Sequence, residues 1–202
     1  NGENPTGACV LKKDAECCDT VVFGEGFDVQ GDWVFQAPGQ YMADSTGYSD
    51  AAKWHVSTSQ YRGSPSSLAF TDVETGSCRV EGFKSGGRAV SPTIPLMKTN
   101  NPVLSFWMWK FTDEIQSSKD VVSVYVKTAD GNVEEVFSTK SHTKFVTGSG
   151  FEQFPAVGTI DLSSWSGQSV KLIFEYDSVA NQYVEDYSVF IDDIVVGGTC
   201  GV

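Results

Sequence analysis

Hydrophobic and polar residues follow one another along this chain in short blocks, and these blocks predict β-strands. Runs rich in Val, Phe, Tyr, Trp and Ile alternate with clusters of Gly, Ser, Asp and Asn, and no segment has the periodicity of a long amphipathic helix. Short strands that recur with turn residues between them predict an all-β fold, a two-sheet antiparallel β-sandwich of the jelly-roll type. The clearest predicted strands are Thr20 to Asp28, Ser67 to Thr71, Arg88 to Ile94, Val103 to Phe111, Val121 to Thr128, Val133 to Ser138, Thr159 to Leu162, Val170 to Tyr176 and Ser188 to Val196.

Turn residues mark the connections between these strands. The segment from Ala129 to Asn132 contains Asp130-Gly131, which supplies the positive φ of a tight hairpin. Residues 37–50 are rich in turn formers and predict a long loop on one rim of the sandwich, where binding often takes place. Residues 1–19 predict an N-terminal arm or linker that cysteines pin, and residues 20–202 a single jelly-roll domain.

The charge of the chain excludes several classes of partner. The 202 residues contain 14 Lys and Arg against 26 Asp and Glu, a formal net charge of −12. A negative field of this size repels phosphate backbones and anionic headgroups, so we expect neither nucleic-acid binding nor docking to an acidic membrane. No run approaches the roughly 18 apolar residues of a membrane span.

The cysteines indicate an oxidising compartment. There are five, they form no CxxC pair, and the two histidines, His55 and His142, give a zinc cluster little support. We therefore expect disulfides and a secreted or cell-surface protein. The odd count leaves at least one thiol unpaired, or paired with another chain in an assembly. The chain begins at Asn1 rather than Met, which fits either a cleaved signal peptide or a segment that starts there. The disulfide candidates are Cys9, Cys17, Cys18, Cys78 and Cys200.

No sequence motif points to catalysis. The chain has no GxSxG, HExxH, Walker loop or GxGxxG, and its two histidines are far apart in sequence. A glycosidase would need two carboxylates across a cleft, about 5 Å apart in a retaining enzyme. We find no ExDxxE-type strand that places carboxylates on one sheet face. The expectation is that the protein is not an enzyme.

Four carboxylates lie near the two ends of the predicted domain. Because chain termini tend to lie close together, the first and last strands of a sandwich are expected to be neighbours. Acidic groups that converge there repel one another unless a cation intervenes, and an oxygen-rich cluster suits Ca²⁺. The alternative is that each residue closes a turn or lies exposed. The four residues are Glu25, Asp28, Asp192 and Asp193.

Aromatic residues concentrate in one predicted strand. Strand alternation places Trp107, Trp109 and Phe111 on one face, with Leu104, Phe106 and Met108 on the other. Tyr125 alternates similarly in the next predicted strand, so Trp107, Trp109 and Tyr125 are candidates for a shared ligand-binding face. Exposed rings would form a sugar-stacking platform, whereas buried rings would be core. Trp33, Trp54 and Tyr61 are open to both interpretations.

Four short motifs, in this order, resemble MAM-type domains and their bacterial relatives, the choice-of-anchor J and cleaved-adhesin modules. They are Phe23-Gly24-Glu25-Gly26-Phe27-Asp28, Gly87-Arg88-Ala89-Val90-Ser91-Pro92, Val103-Leu104-Ser105-Phe106-Trp107 and Phe190-Ile191-Asp192-Asp193-Ile194-Val195, with Cys200 shortly after. The resemblance covers residues 20 to 200. It implies a noncatalytic jelly roll for adhesion, protein interaction or glycan contact, often with a structural cation near the first and last strands.

The resemblance also implies roles for single residues. Asp28 matches the acidic residue after the family's first-strand Phe, and Asp192 with Asp193 matches its Asp-Asp pair; Glu25 and Asp72 are weaker additions. Animal members of the family have a Cys directly before the Leu-x-Phe strand, where this chain has Val103, so the usual partner of Cys200 is missing. Cys17 or Cys18 is the replacement if the first and last strands abut. Cys9 and Cys78 then remain as partners for each other.

These observations predict a noncatalytic extracellular adhesion or interaction module with a structural Ca²⁺ site, which binds a protein or glycan on a surface. One alternative is a carbohydrate-binding module of a secreted hydrolase. Another is a structural subunit of an extracellular assembly, which the odd cysteine would suit.

Overall fold

The chain folds into two β-sheets packed face to face, as the sequence predicts. The computed structural model describes residues 21–28, 31–63, 65–74, 76, 83–96, 100–111, 120–141, 150–154, 159–178 and 188–198, with the backbone alone at 111 and 152–154. The strands are β1 (Val21–Glu25), β2 (Val34–Gln36), β3 (Tyr48–Ser49), β4 (Ala52–Ser57), β5 (Ser67–Asp72), β6 (Lys84–Val90), β7 (Ile94–Pro95), β8 (Pro102–Phe111), β9 (Asp120–Thr128), β10 (Val133–Ser138), β11 (Glu152–Phe154), β12 (Ile160–Asp161), β13 (Ser169–Ser178) and β14 (Ser188–Gly198). Among these residues, no helix has the length and apolar character that crossing a membrane requires.

Strands that follow one another in the chain often lie in different sheets. The first sheet has the order β11-β8-β14-β5-β4, with β1 beside β14 and β12 beside β8. The second sheet has the order β10-β9-β13-β6-β2, with β3 beside β6 and β7 beside β13. All of these pairs are antiparallel except β3 with β6. Because β8 and β9 lie in different sheets, the chain crosses from one layer of the sandwich to the other between them.

Alternating side chains from the two sheets build the core. Phe106 of the first sheet packs edge-on against Phe174 of the second, with ring centroids 5.4 Å apart, and Phe70 stacks on Tyr176 at 4.5 Å. These contacts join the inner faces, because inward residues alternate with outward ones along each strand. Trp33 and Trp54 belong to this core, whereas Tyr61 is 51% exposed.

The local turn and the pairing of the terminal strands follow the sequence prediction. Strands β9 and β10 form an antiparallel hairpin, and Gly131 has a φ of +91° in its turn. Strand β1 pairs with β14, and Glu25 lies opposite Ile194. The predicted rim loop at 37–50 is largely irregular, apart from a 3-10 turn at Pro38–Gln40 and the two residues of β3. The predicted arm at 1–19 lies outside the described residues.

Candidate functional site

Charged and aromatic side chains gather on the outer face of the second sheet. Arg88 of β6 and Ser123 of β9 lie on either side of Glu175 in β13, so the three side chains share one row. The Arg88 Nε donates to Glu175 Oε2, and both side chains are half-buried. A charge-assisted bond of this kind between neighbouring strands holds the guanidinium against the sheet.

Two tyrosine rings flank this guanidinium. The Arg88 guanidinium carbon lies 4.1 Å from the ring centroid of Tyr41 and 5.7 Å from that of Tyr125. Tyr41 follows the short turn at Pro38–Gln40, and Tyr125 projects from β9. An arginine over an aromatic face is attracted by the ring quadrupole. We call Tyr41, Arg88, Tyr125 and Glu175 the tyrosine–arginine platform.

A second tyrosine–carboxylate pair lies beside the platform. The Tyr48 hydroxyl donates to Asp177 Oδ1 at 2.6 Å. The Tyr48 ring lies over Gly86, where an added Cβ would approach the ring to within 2.9 Å. Only glycine therefore lets Tyr48 reach Asp177 without displacement. This pair extends the polar and aromatic surface toward the rim loop.

Burial raises the pKa of one carboxyl group and three tyrosine hydroxyls on this face. It raises the pKa of Glu175, a shift that the Arg88 pair partly opposes. Burial also raises the pKa of Tyr41, Tyr48 and Tyr125, with neighbouring carboxylates acting in the same direction. The three tyrosines are therefore hydroxyl donors at neutral pH.

A cavity of about 390 Å³ opens beside the platform. Hydroxyl, carboxylate and ammonium groups line it together with the Tyr125 ring. These groups both donate and accept hydrogen bonds around one aromatic surface, so they could fix the orientation of a polar ligand. The polar lining includes Ser123, Glu135, Lys140, Glu175 and Asp177.

Sequence patterning did not reveal the carboxylate pair of Glu175 and Asp177. Glu175-Tyr176-Asp177 places two acidic residues at alternate positions of β13, on one sheet face, which corrects the expectation that no strand does so. The chain lacks the third acidic residue of an ExDxxE strand, because position 180 is Ala. The alternation of buried Leu172, Phe174 and Tyr176 was the signal that could have revealed the outward positions.

Two of the predicted metal ligands, Asp192 and Asp193, lie side by side, but N–H groups already bind their carboxylate oxygens. Asp192 is fully buried; Oδ2 accepts the Arg62 backbone N–H at 2.8 Å and Oδ1 that of Asp193 at 2.8 Å. Asp193 lies in a β-bulge with a φ of +48°, and Arg62 Nη1 pairs with its Oδ2 at 2.5 Å. Burial raises the pKa of Asp192, while these backbone N–H groups lower it.

The other predicted ligands do not complete this pair. Glu25 lies opposite Ile194, on the core side of the sheet, and its carboxylate accepts the Phe27 backbone N–H and the Trp33 indole N–H. Asp28 is exposed. Asp72 accepts the Glu74 backbone N–H at the far end of β5 from Ser67, about five residues or roughly 16 Å along the strand.

This donor set does not fit a calcium ion. Ca²⁺ takes six to eight oxygen ligands, whereas the Asp192 oxygens already accept N–H groups and Asp193 is paired with a guanidinium. In the described ranges, no three or more His, Cys, Asp or Glu side chains are grouped so as to hold a metal ion. Calcium binding stays a prediction from the sequence.

The three aromatic candidates do not share a face. Trp107 and Trp109 point outward from β8 in the first sheet, whereas Tyr125 points outward from β9 in the second. The expectation of one common platform is wrong, because the crossover between β8 and β9 puts their outer faces on opposite sides of the sandwich. All three side chains are half-buried and lie outside the core between the sheets.

The two tryptophans of β8 have different surroundings. The Arg62 guanidinium carbon lies 3.6 Å from the Trp107 ring centroid and occupies one face of that ring. Trp109 packs against Phe151 and Phe190, with centroids 6.0 and 5.8 Å away. The Trp109 indole nitrogen is buried and has no hydrogen-bond partner within the part of the chain that the structure describes. Arg62 and Trp107 thus form a cation–π pair of the same kind as Arg88 and Tyr41.

The cysteine predictions fall outside the described residues. The structure does not describe any of the five candidates, which are Cys9, Cys17, Cys18, Cys78 and Cys200, nor does it describe His142. His55 lies in β4, where its Nδ1 is 3.1 Å from the Lys53 carbonyl oxygen and its Nε2 is 3.5 Å from the Thr71 hydroxyl.

No protein-family model matches this sequence, and no curated protein matches it significantly. Among solved structures, the chain is similar to the CBM22-1-GH10 modules of an endo-1,4-beta-D-xylanase from Clostridium thermocellum, complexed with xylohexaose (TM-score 0.52, 10% identity, 92% of this chain and 30% of that chain). It is also similar to the K3 cleaved adhesin domain of Lys-gingipain from Porphyromonas gingivalis (TM-score 0.49, 13% identity, 89% of this chain and 100% of that chain). At such identities, the likeness to the xylanase modules shows a shared β-sandwich fold and no more.

Proposed function

We propose that this chain is a noncatalytic binding module that recognises a neutral glycan through the tyrosine–arginine platform. The observation that carries the proposal is the Arg88 guanidinium, which is flanked by Tyr41 and Tyr125 and held by Glu175. Sugars present apolar C–H faces and hydroxyl edges, so they suit a site where aromatic rings adjoin hydroxyls and carboxylates.

The charges of this face favour a neutral ligand over a polyanion. Glu135, Glu175 and Asp177 line the cavity with Lys140, and Arg88 is already paired with Glu175. An anionic sugar would face three carboxylates and one ammonium of the lining, and the whole chain carries a net charge of −12. The similarity to modules complexed with xylohexaose makes that neutral oligosaccharide the first probe to use.

The chemistry of the platform supports binding more than turnover. Glu175 is paired with Arg88, and Asp177 accepts the Tyr48 hydroxyl, so both carboxylates already have partners. A general acid and a nucleophile must instead reach the glycosidic bond from opposite sides. We propose a secreted or cell-surface location, because polysaccharides are encountered there and the cysteine content suits it.

Binding to xylohexaose, mannohexaose and cellohexaose by isothermal titration calorimetry tests the proposal. Tyr125→Ala should weaken binding of the preferred hexasaccharide by about five- to tenfold, since a lost aromatic contact costs about 1–1.4 kcal/mol. Tyr61→Ala, which removes an exposed tyrosine outside the platform, is the matched control and should bind as the unmodified protein does.

Two results would overturn this function. One is that none of these oligosaccharides, and no insoluble xylan, mannan or cellulose in a pull-down, binds the unmodified chain. The other is that Tyr61→Ala and Tyr125→Ala bind equally well. Binding of a protein partner in place of glycans would then favour the adhesion alternative.

A further inference from the structure

A second and larger cavity lies at one edge of the sandwich. Strand β2 ends the second sheet and β4 ends the first, and the two contact each other across this edge. The rim loop at 37–50 connects this region to β4 and forms one wall. The cavity measures about 570 Å³, within the range of roughly 300–1,000 Å³ that ligand sites occupy.

Rigid apolar groups form the base of this rim cavity. Half-buried Phe35 contributes aromatic surface, and the buried side chains of Trp54 and Pro38 support it from below. The Trp54 indole N–H donates to the Gly87 carbonyl at 2.9 Å, and its ring packs edge-on against Phe70 at 5.4 Å. These contacts fix the Trp54 ring, so the base of the cavity is formed before any ligand arrives.

Polar side chains surround the apolar base. Gln36, Ser45, Asp50 and Lys53 all line the cavity. The Gln40 amide oxygen accepts the Ala37 backbone N–H at 2.8 Å, which braces the start of the rim loop. One carboxylate and one ammonium leave the lining without net charge, and amides and hydroxyls supply both donors and acceptors.

We propose that the rim cavity binds the terminal unit of a neutral glycan, a single pyranose ring. An apolar base that includes the Phe35 ring, surrounded by donors and acceptors without net charge, matches a sugar that has one apolar face and several hydroxyls. The choice of a sugar rests on the proposed function. The cavity itself is separate from the platform.

One side chain links the two sites. Tyr48 lines the rim cavity, and its hydroxyl donates to Asp177, which lines the cavity beside the platform. A glycan whose end occupies the rim cavity would therefore continue past Tyr48 onto the outer face of the second sheet. The rim cavity would select chain ends, and the platform would hold the following units.

Amide chemical shifts with methyl β-xyloside and methyl β-glucoside test this inference. These monosaccharides should shift resonances of residues 36–54 in the unmodified chain. Ser45→Trp fills the cavity from the rim loop and should weaken this binding at least about tenfold. Ser164→Trp is the control, because it places the same bulk on an exposed position in the turn after β12. This turn lies at the opposite end of β13 from Asp177, so the variant should bind the monosaccharides as the unmodified chain does.

Asp50→Ala is the second variant, because it removes an exposed acceptor without adding bulk, and it should also weaken the monosaccharide. Melting curves of each variant check that the fold is kept. The inference is overturned if Ser45→Trp and Asp50→Ala both bind the monosaccharides as the unmodified chain does. It is also overturned if xylohexaose shifts Tyr125 while no monosaccharide shifts residues 36–54, a result that leaves the proposed function standing. Absence of any shift with every sugar overturns both.

Discussion

The Arg62 guanidinium stacks on the Trp107 ring, with 3.6 Å between the guanidinium carbon and the ring centroid. The same guanidinium pairs with Asp193, and the Arg62 backbone N–H binds the buried Asp192. Gly63 lets the loop approach this closely, because a Cβ there would lie 3.2 Å from an Asp193 oxygen. One residue therefore fixes a loop to the bulge of β14 and neutralises part of an acidic pair.

Arg62→Ala should lower the stability of the protein. The change removes a partly exposed ion pair and a cation–π contact, which together contribute about 1–2 kcal/mol. Urea unfolding followed by tryptophan fluorescence measures the loss. Lys127→Ala, at an exposed lysine of β9, is the control and should change the free energy of unfolding by less than about 0.5 kcal/mol. Equal losses in the two variants would show that the Arg62 side chain does not stabilise the fold through these contacts.

Chelation should leave the melting temperature unchanged. Arg62 already pairs with Asp193, and the Asp192 oxygens accept backbone N–H groups, so EDTA and excess CaCl₂ should give melts within about 1 °C of each other. Differential scanning calorimetry makes the comparison. The contrary result would be a melting temperature that rises by several degrees in CaCl₂. If that rise is absent in Asp28→Ala, the calcium site that the sequence predicts is established instead.

Stability should fall as pH rises above 4.5, the ordinary pKa of a glutamate. Burial raises the pKa of Glu175 and Asp192 in the folded state. At pH values between the unfolded and folded pKa of each group, the folded chain therefore binds more protons than the unfolded chain. The free energy of unfolding then decreases with pH across that interval. Asp44, Asp130 and Asp161 have lowered pKa values, so their stabilisation is lost only as pH falls below 3.8.

Glu175→Gln should reduce this decrease, because the amide does not titrate. Urea unfolding at a series of pH values above 4.5 gives the slope for each protein. Glu134→Gln, at an exposed glutamate of β10, is the control and should keep the slope of the unmodified chain. A slope that Glu175→Gln leaves intact would show that the burial of Glu175 does not cause it.

Two tryptophans should respond differently to replacement by phenylalanine. Trp54→Phe leaves the buried Gly87 carbonyl without the indole N–H that it accepts, at a cost of about 1–3 kcal/mol from that group alone. Trp109→Phe removes a buried N–H that has no partner among the described residues, so it loses none of the hydrogen bonds that the structure describes. Denaturant unfolding should rank Trp54→Phe as clearly the less stable variant. The reverse order would mean that the Trp109 indole N–H has a stabilising partner in solution.

Local patterning predicted most of the sandwich. Strands β5, β8, β9, β13 and β14 match predicted segments closely, because each has inward apolar residues at alternate positions. Strand β10 also matches, and it follows the turn at Gly131. The predicted strand from Arg88 to Ile94 instead ends at Val90, and β7 begins at Ile94. Strands β2, β3, β4 and β11 were missed. Strand β4, for example, contains Lys53 and His55, and its pairing with β5 decides its conformation.

The candidate site was harder to predict. Tyr125 was identified from alternation in β9, but Arg88 appeared only within a motif and Glu175 was not considered. These residues lie on strands far apart in the chain, and they meet because β13 pairs with both β6 and β9. Tyr125 was wrongly grouped with Trp107 because β8 and β9 are consecutive strands of the chain but belong to different sheets.

The sequence by itself determined the all-β character, the β9–β10 hairpin at Gly131 and the adjacency of the first and last strands. These features follow from the period of two within a strand, from the φ that a tight turn requires and from the closeness of chain ends. Only the tertiary structure decided which sheet each strand joins, and hence that Tyr41, Arg88 and Glu175 meet while Asp192 and Asp193 face Arg62. Alternation tells which side of its own strand a residue occupies, whereas its partners depend on strands brought together from distant parts of the chain.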